Sequence, residues 1–483
     1  MSRVILADLG GDDLWSAMRD AAAGGRQGAA AAIAERCVSG GSVRLGWICP
    51  APWKLVERGI TDLLAMLGMR RARGILSLAT GGWSFAAQAV TETVVQPDPA
   101  GLLPPLDSLE PTAIRRAICQ GKGAPRAIVA ISASRATLET NLLAEAMGGI
   151  IDTAHLPLGW LSDKPAPPDV FPLSPRGLPD QVAMLGAPLS MAFLTAAAVA
   201  DTAGLADAYG QLLCGYDRIA AAAVRRAVAV RAQGSPLVHL VVPSWAGRGL
   251  RLWLLQLGRQ VLCGKSARFC PRVDVVGPDD QHDTPDARID LSALPKSLPG
   301  LLEACYLSGI FIAAVALRAG LPVAEHAHVT AYKERLPDAR RGVVGLRTVQ
   351  APELPDIAAC WLAGRPELTR LHVVRYDSVA AGSVAGSVAD AGPFRAATGY
   401  PCEVHDGSAW NHHSFHAVYA DPSTAVMLVV APPSAHSRET VPLAGAGRVQ
   451  RQIAIATHLA LADRSMIFQV QEPAPSAEGR HDR

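Results

Sequence analysis

Residues 126–149, RAIVAISASRATLETNLLAEAMGG, decide the fold class. Residues 127–131 form an apolar run with β-branched side chains, the make-up of a buried parallel strand. A hydroxyl cluster follows: Ser132, Ser134, Thr137 and Thr140. Leu138, Leu142, Leu143 and Met147 then recur at helical spacing. Strand, hydroxyl loop and helix in succession build an oxyanion site in an α/β sheet. The free N–H groups of the helix's first turn and the loop hydroxyls converge there, and the helix dipole favours negative charge. The same letters also read as a capped helix start, with Ser134 or Thr137 as N-cap.

Upstream, residues 1–40 read as an Ala-rich helical lead-in and residues 53–67 as a helix. Residues 74–79, GILSLA, are a strand, Thr80-Gly81-Gly82 its closing turn, and 86–90 the helix after it. Residues 111–120 read as a further helix. Repeated strand–loop–helix units imply a parallel sheet with helices on both faces, with ligands bound outside the carboxyl ends of the strands. The Gly81-Gly82 turn and the 132–137 loop fall at that edge.

Downstream, residues 155–180 hold seven prolines and read as a linker or irregular crossover. Residues 189–200 and 210–231 read as helices. A second α/β unit begins at Pro236, with strands at 237–242 and 273–276 and helices at 249–261 and 301–319. A third pattern follows, with strands at 371–376 and 425–430, a small-residue loop and a terminal polar tail. The expected division is a helical lead-in (1–45), a first α/β domain (46–165), a crossover with helices (166–232), a second α/β domain (233–345), a C-terminal α/β unit (346–471) and a tail (472–483).

A formal net charge of +2 gives no basic field for nucleic acid or an anionic membrane. Nine cysteines show no C-x-x-C pair and no zinc spacing, which suits a reducing cytoplasm. No basic region followed by an apolar stretch marks a signal peptide, and the uncharged run between Asp180 and Asp201 reads as a buried core helix rather than a membrane span.

Four patches in order resemble the glucose-6-phosphate isomerase family. ATGGWSFA at 79–86 is similar to its first glycine loop, and ISASRATLETN at 131–141 to its phosphate loop, I-S-K-S-G-T-T-L-E-T-N. RGLRLWLLQLGRQVLCGK at 248–265, with VVGPDDQH at 275–282, resembles the second-domain signature, and HAHVTAYK at 326–333 the C-terminal one. The resemblance implies an α/β protein of two doubly wound, parallel-sheet sugar-isomerase (SIS) domains, with a third, degenerate SIS-like unit at the C-terminus. It also implies a cytoplasmic homodimer that interconverts an aldose and a ketose phosphosugar, glucose 6-phosphate and fructose 6-phosphate, with no metal or organic cofactor. In that reaction a phosphate anchor holds the sugar, a Lys and a His assist ring opening, and a carboxylate moves a proton between C1 and C2. An Arg steadies the enediolate.

The resemblance places Ser132, Ser134 and Thr137 on the phosphate, and His282 and Lys333 in ring opening. Gly81, Gly82, Ser84, Gln256 and Gln260 fall on substrate-contact positions. Three positions depart from the pattern. Trp83 stands at the Ser of the first glycine loop, and Asp169 stands at the Arg position, with Arg176 nearby. Gln260 or Val261, depending on the direction of counting, stands where the catalytic Glu belongs, and neither can act as a general base.

Two readings follow. One is an isomerase whose base has moved, to Glu325, Asp280, Glu139 or His282. The other is a non-catalytic SIS-type protein that binds a sugar phosphate as a regulatory or structural ligand. A third class, metal chemistry at His405, His412, His413 and His416, competes with plain polar loop histidines. No carboxylate or Cys completes a recognised metal spacing there. Glu403 with His412 also resembles an acidic residue and His-loop that close the sugar site in SIS-type relatives.

Overall fold

The computed structural model describes residues 6–39, 42–70, 74–94, 103–110, 113–114, 125–150, 156–164, 170–178, 184–228, 237–263, 272–278, 285–323, 328, 330–342, 345–376, 390–432 and 441–471. The chain divides into two compact units. Met1–Asp107, Ala117–Ala327 and His412–Ala417 form the first, and Ser108–Arg116, His328–Asn411 and Val418–Arg483 the second.

The first unit opens with α1 (Gly11–Ala22), α2 (Gly28–Cys37), the short antiparallel pair β1 (Val38–Ser39) and β2 (Ser42–Val43), and α3 (Trp53–Met66). Next come β3 (Ile75–Leu78), α4 (Gly82–Thr93), β4 (Ala127–Ile131), α5 (Leu138–Ile150), β5 (Leu158–Leu161) and β6 (Val170–Phe171). The four strands pair in parallel in the order β3-β4-β5-β6. All five residues of β4 are buried, as a central strand covered on both faces requires. In α5 the buried side is Glu139, Thr140, Leu143, Ala146 and Met147, while Leu138 and Leu142 are half-buried.

β5 and β6 correct the reading of residues 155–180 as a linker. Pro157 stands just before β5 and Pro172 just after β6, so the prolines flank the ladder instead of interrupting it. The sheet therefore reaches Phe171, inside the stretch expected to be a crossover.

α6 (Met191–Val228) follows, and the two helices expected at 189–200 and 210–231 are one helical segment broken at Asp201. There the backbone turns extended (φ −161°, ψ 98°), and Asp201 Oδ1 accepts from Gly204 N at 2.8 Å, recapping the second half. β7 (Leu237–Val241), α7 (Arg248–Val261), β8 (Arg272–Val276), β9 (Ala287–Asp290) and α8 (Leu298–Arg318) complete the series. Their strands pair in parallel in the order β8-β7-β9. β9 was not expected. It carries two buried apolar residues, Ala287 and Ile289, between exposed charged ones, which is a short half-buried strand.

α6 and α8 are both long and apolar enough to cross a membrane by length and composition. They pack against each other, and α8 is buried along almost its whole length. Gly309 lies under Trp47, where an added Cβ would sit 2.3 Å from the indole. α4 and α7 meet backbone to backbone, since a Cβ on Gly249 would fall 2.3 Å from the Ala89 nitrogen. Glycine is what lets those two backbones touch.

The second unit contains α9 (Leu336–Arg340), β10 (Arg347–Val349), α10 (Leu354–Ala363), β11 (Arg370–Arg375), α11 (Gly392–Thr398), β12 (Cys402–Asp406), β13 (Thr424–Val430), α14 (Val441–Leu461) and β14 (Ser465–Val470), and α12 (Gly407–His413) and α13 (Phe415–Ala420) are shared between the two units. Five parallel strands run β10-β14-β13-β11-β12. On one face Leu371, Val373, Met427 and Phe468 pack with Leu354, Ala358 and Leu362 of α10 and Phe394 of α11. α14 covers the other, where the Tyr376 hydroxyl bonds Asn411 and Thr457. This unit is a five-stranded parallel sheet with helices on both faces, as expected of a third α/β unit. β10, β12 and β14 were absent from the sequence reading. The expected helix at 111–120 lies largely outside the described residues, and the 377–389 loop and the tail lie wholly outside them.

The turn into β13 is held by Asp421. Its Oδ1 accepts from Ser423 N at 3.0 Å and Ser423 Oγ at 2.7 Å, and its Oδ2 from Thr424 Oγ1 at 2.6 Å. Burial pushes this carboxyl up, but those hydrogen bonds and the Arg370 charge outweigh burial and hold it below the usual carboxylate range. The ionised form therefore carries the stabilisation, which is present above the unfolded value and lost as pH falls through the folded one. Asp421→Asn is expected to cost about 1 kcal/mol at neutral pH. Urea denaturation of both proteins down to about pH 3 should show that gap closing with acid. A gap that stays constant would contradict the assignment.

Candidate active site

The carboxyl ends of β3 and β4 carry the two loops singled out by sequence. After β3, Gly81 adopts φ 65° and ψ −142°, a conformation open to glycine. The Ser84 hydroxyl, fully buried, donates to the Gly81 carbonyl at 2.9 Å. It fastens the turn, and its proton is spent there. Gly82 meets Leu185 so closely that a Cβ would fall 2.2 Å from the Leu185 carbonyl oxygen. The same oxygen accepts from Trp253 Nε1 of α7 at 2.9 Å.

After β4 the hydroxyl loop is tightly tied. Ser132 Oγ and Thr137 Oγ1 are 2.9 Å apart, and Ser132 is buried. Ser134 is exposed and accepts from Ala136 N at 3.2 Å. The Ala133 carbonyl accepts from Ser162 Oγ at 3.0 Å, locking the loop to the end of β5. Arg135 has φ +53°, and its carbonyl accepts from Asn141 Nδ2 at 3.1 Å.

Glu139 sits in the first turn of α5 with 2% of its side chain exposed. The helix dipole favours a carboxylate there. His412 faces it, Nε2 to Oε1, at 3.4 Å. Next to that imidazole lies Gly81, where an added Cβ would come within 2.9 Å of the His412 Cβ. The carboxylate–imidazole pair therefore joins the glycine turn to the start of α5. In the sequence Glu139 stands among four candidate bases and His412 beside Glu403, and the fold brings Glu139 and His412 together.

Residues 412–417 are held along α7. Arg259 donates to Ser414 Oγ and, from Nε and Nη2, to the Val273 carbonyl at 3.3 Å. Ser414 Oγ lies 2.6 Å from His413 Nδ1, and the His413 ring meets Phe85 edge-on at 6.0 Å. Cys263 Sγ donates to the His416 carbonyl at 3.6 Å. On the same helix Gln256 Nε2 donates to Gln260 Oε1 at 3.0 Å, both residues buried. Gln256 Oε1 finds no hydrogen-bond partner among the described residues. Val261 is in the apolar core.

Of the remaining expected residues, His282, Asp280, Glu325 and Asp169 lie outside the described residues. Lys333 belongs to the second unit, at a single 3-10 turn, with Nζ 5.8 Å from the Tyr332 ring. Arg176 stacks on Phe171 at 5.2 Å.

The four clustered histidines separate. His405 belongs to the second unit, its Nε2 3.0 Å from Glu403 Oε2, while His372 Nε2 lies 3.6 Å from Glu403 Oε1. Their ligand atoms are close enough to suit a metal ion. However, Trp410 Nε1, which can only donate, bonds His372 Nδ1 at 3.0 Å. A neutral imidazole accepting at Nδ1 carries its proton at Nε2, which then faces Glu403 instead of a cation.

No protein-family model matches the chain, and no curated protein matches it. Among solved structures, a hypothetical protein of Thermus thermophilus is 14% identical with a TM-score of 0.48, covering 68% of this chain and 95% of its own. A glucose-6-phosphate isomerase from Chlamydia trachomatis is 13% identical with a TM-score of 0.43, covering 68% of this chain and 78% of its own. These are likenesses of chain path.

The Leu185 contact sets a test. Gly82→Ala is expected to lose about 1–3 kcal/mol in denaturant unfolding, because a backbone carbonyl cannot step aside. Gly148→Ala, exposed on α5 with nothing within 4 Å of the added Cβ, should hold or gain stability. Equal effects at the two sites would contradict the close approach.

Proposed function

We propose that this protein binds a sugar phosphate at the 132–137 loop and carries out aldose–ketose isomerisation with the Glu139–His412 pair. The observation that carries the reading is that pair, buried beside the glycine turn and one turn of helix from the hydroxyl loop. Thr137 and the first N–H groups of α5 take the phosphate. Glu139 removes the proton from the carbon next to the carbonyl and returns it to the neighbouring carbon. His412 moves a proton on the oxygens of the enediolate. A homodimer in a reducing cytoplasm belongs to the same proposal.

A second reading has its own observation. Gln260, where the family resemblance expects a carboxylate, is an amide bonded to Gln256 and cannot take a proton. That favours a protein that binds the sugar phosphate without turnover.

Conversion of fructose 6-phosphate to glucose 6-phosphate separates the two. Wild-type turnover is expected, falling about 10²- to 10⁴-fold in Glu139→Gln with sugar phosphate binding kept. Unchanged turnover in that variant would remove Glu139 as the base. Binding without wild-type turnover would establish the second reading, and absence of binding would sink both.

A further inference from the structure

Arg135 is the least comfortable residue of the hydroxyl loop. A side-chain-bearing residue at φ +53° lies in the left-handed region, which costs about 1 kcal/mol or more relative to glycine. The turn holds regardless, because Arg135 N donates to the Ser132 carbonyl at 3.2 Å and its own carbonyl accepts from Asn141. The outcome is a half-buried guanidinium laid 4.8 Å over the Trp160 ring of β5.

Stacking uses the flat face of a guanidinium and leaves the N–H groups around its edge. Among the described residues no carboxylate or carbonyl accepts from Arg135, so those donors remain unspent. The loop beside it is otherwise neutral: Ser132, Ala133, Ser134, Ala136 and Thr137. A phosphate dianion there would meet hydroxyls and the partial charge of one helix end, and a full positive charge would have to come from elsewhere.

We propose that Arg135, held by Trp160, is a further ligand of the anionic group, gripping a phosphate dianion through paired N–H donors at the rim of the 132–137 loop. This rests on the reading of that loop as a sugar-phosphate site and deepens it. The ring fixes the cation's direction before the ligand arrives, which reduces the ordering cost of binding. Two parallel charge-assisted hydrogen bonds favour a dianionic phosphate over an uncharged sugar.

Titration calorimetry with fructose 6-phosphate, inorganic phosphate and uncharged fructose tests the assignment, on wild type, Arg135→Met, Arg135→Lys and Arg135→Gly. Arg135→Gly keeps the test sound if Arg135→Met folds poorly, since glycine suits the left-handed turn. Both uncharged variants are expected to bind the two phosphate ligands about tenfold or more weakly. Their binding should also depend less steeply on salt, and Arg135→Lys should recover only part of the affinity. Wild-type phosphate binding left unchanged in Arg135→Gly, with the same salt dependence, would overturn the role of Arg135 and leave the loop reading standing. Weakening for fructose 6-phosphate but not for inorganic phosphate would place Arg135 on the sugar and overturn the anion contact. Failure of wild type to bind either phosphate would overturn the loop reading and this inference with it.

Discussion

A carboxylate placed where water scarcely reaches it must be compensated, and Glu139 imposes that condition on the first unit. Its burial would be costly without a partner. The N-terminal turn of α5 and the His412 imidazole, 3.4 Å away, both lie against it. His412 comes from a distant part of the chain, so its place depends on everything that holds residues 412–417. Arg259 grips Ser414, Cys263 reaches the His416 carbonyl, and His413 rests on Phe85. Gly81 leaves room for the imidazole by having no Cβ. Each of these contacts is modest by itself. Together they turn a distant segment into one wall of the loop region.

In the second unit a more exposed carboxylate meets two imidazoles. Glu403 lies between two imidazoles, and the proton arrangement of one of them is set from behind by Trp410. A donor-only indole on Nδ1 decides which nitrogen of His372 faces the carboxylate. In a metal site that outer position is ordinarily filled by an acceptor, which leaves the inner nitrogen free to coordinate. The chemical type of the outer partner therefore separates a carboxylate clamp from a cation site, even when three donor atoms stand close together. Spacing alone could not have made that distinction for the four clustered histidines.

The legible parts of the fold were those in which one segment carries its own signal. β4 is a five-residue apolar run, and α7 shows its apolar face and its glycine. Both could be read from local letters. The strands that escaped notice have another character. β9 alternates two small buried groups with exposed charges, β12 carries Glu403 and His405, and β5 and β6 lie among prolines. Their membership of a sheet is fixed by neighbours far away in sequence, and local composition argues against it. The site divides in the same way. The glycine turn and the hydroxyl loop could be found because they are contiguous, whereas Glu139 and His412 become a pair only through the fold. Arg135 had a signal that went unread: it occupies the glycine of the I-S-K-S-G-T-T pattern, the one position where a left-handed backbone makes a bulky side chain expensive.

That expense bears on what the first unit is built for. Arg135 raises the cost of the loop, and Glu139 raises the cost of the core beside it. The guanidinium recovers part of that cost by stacking on the Trp160 ring. Gln260 is the contrary case, because an amide paired with Gln256 gives up proton chemistry and keeps a neutral, bonded interior. Position 260 of α7 is thus neutral, next to the buried cation Arg259. A protein that only needed a stable turn would do better with glycine at 135. A strained backbone at 135 and a buried carboxylate at 139 stand within four positions of each other in the chain, and strain of that kind persists only where the surrounding contacts fix it.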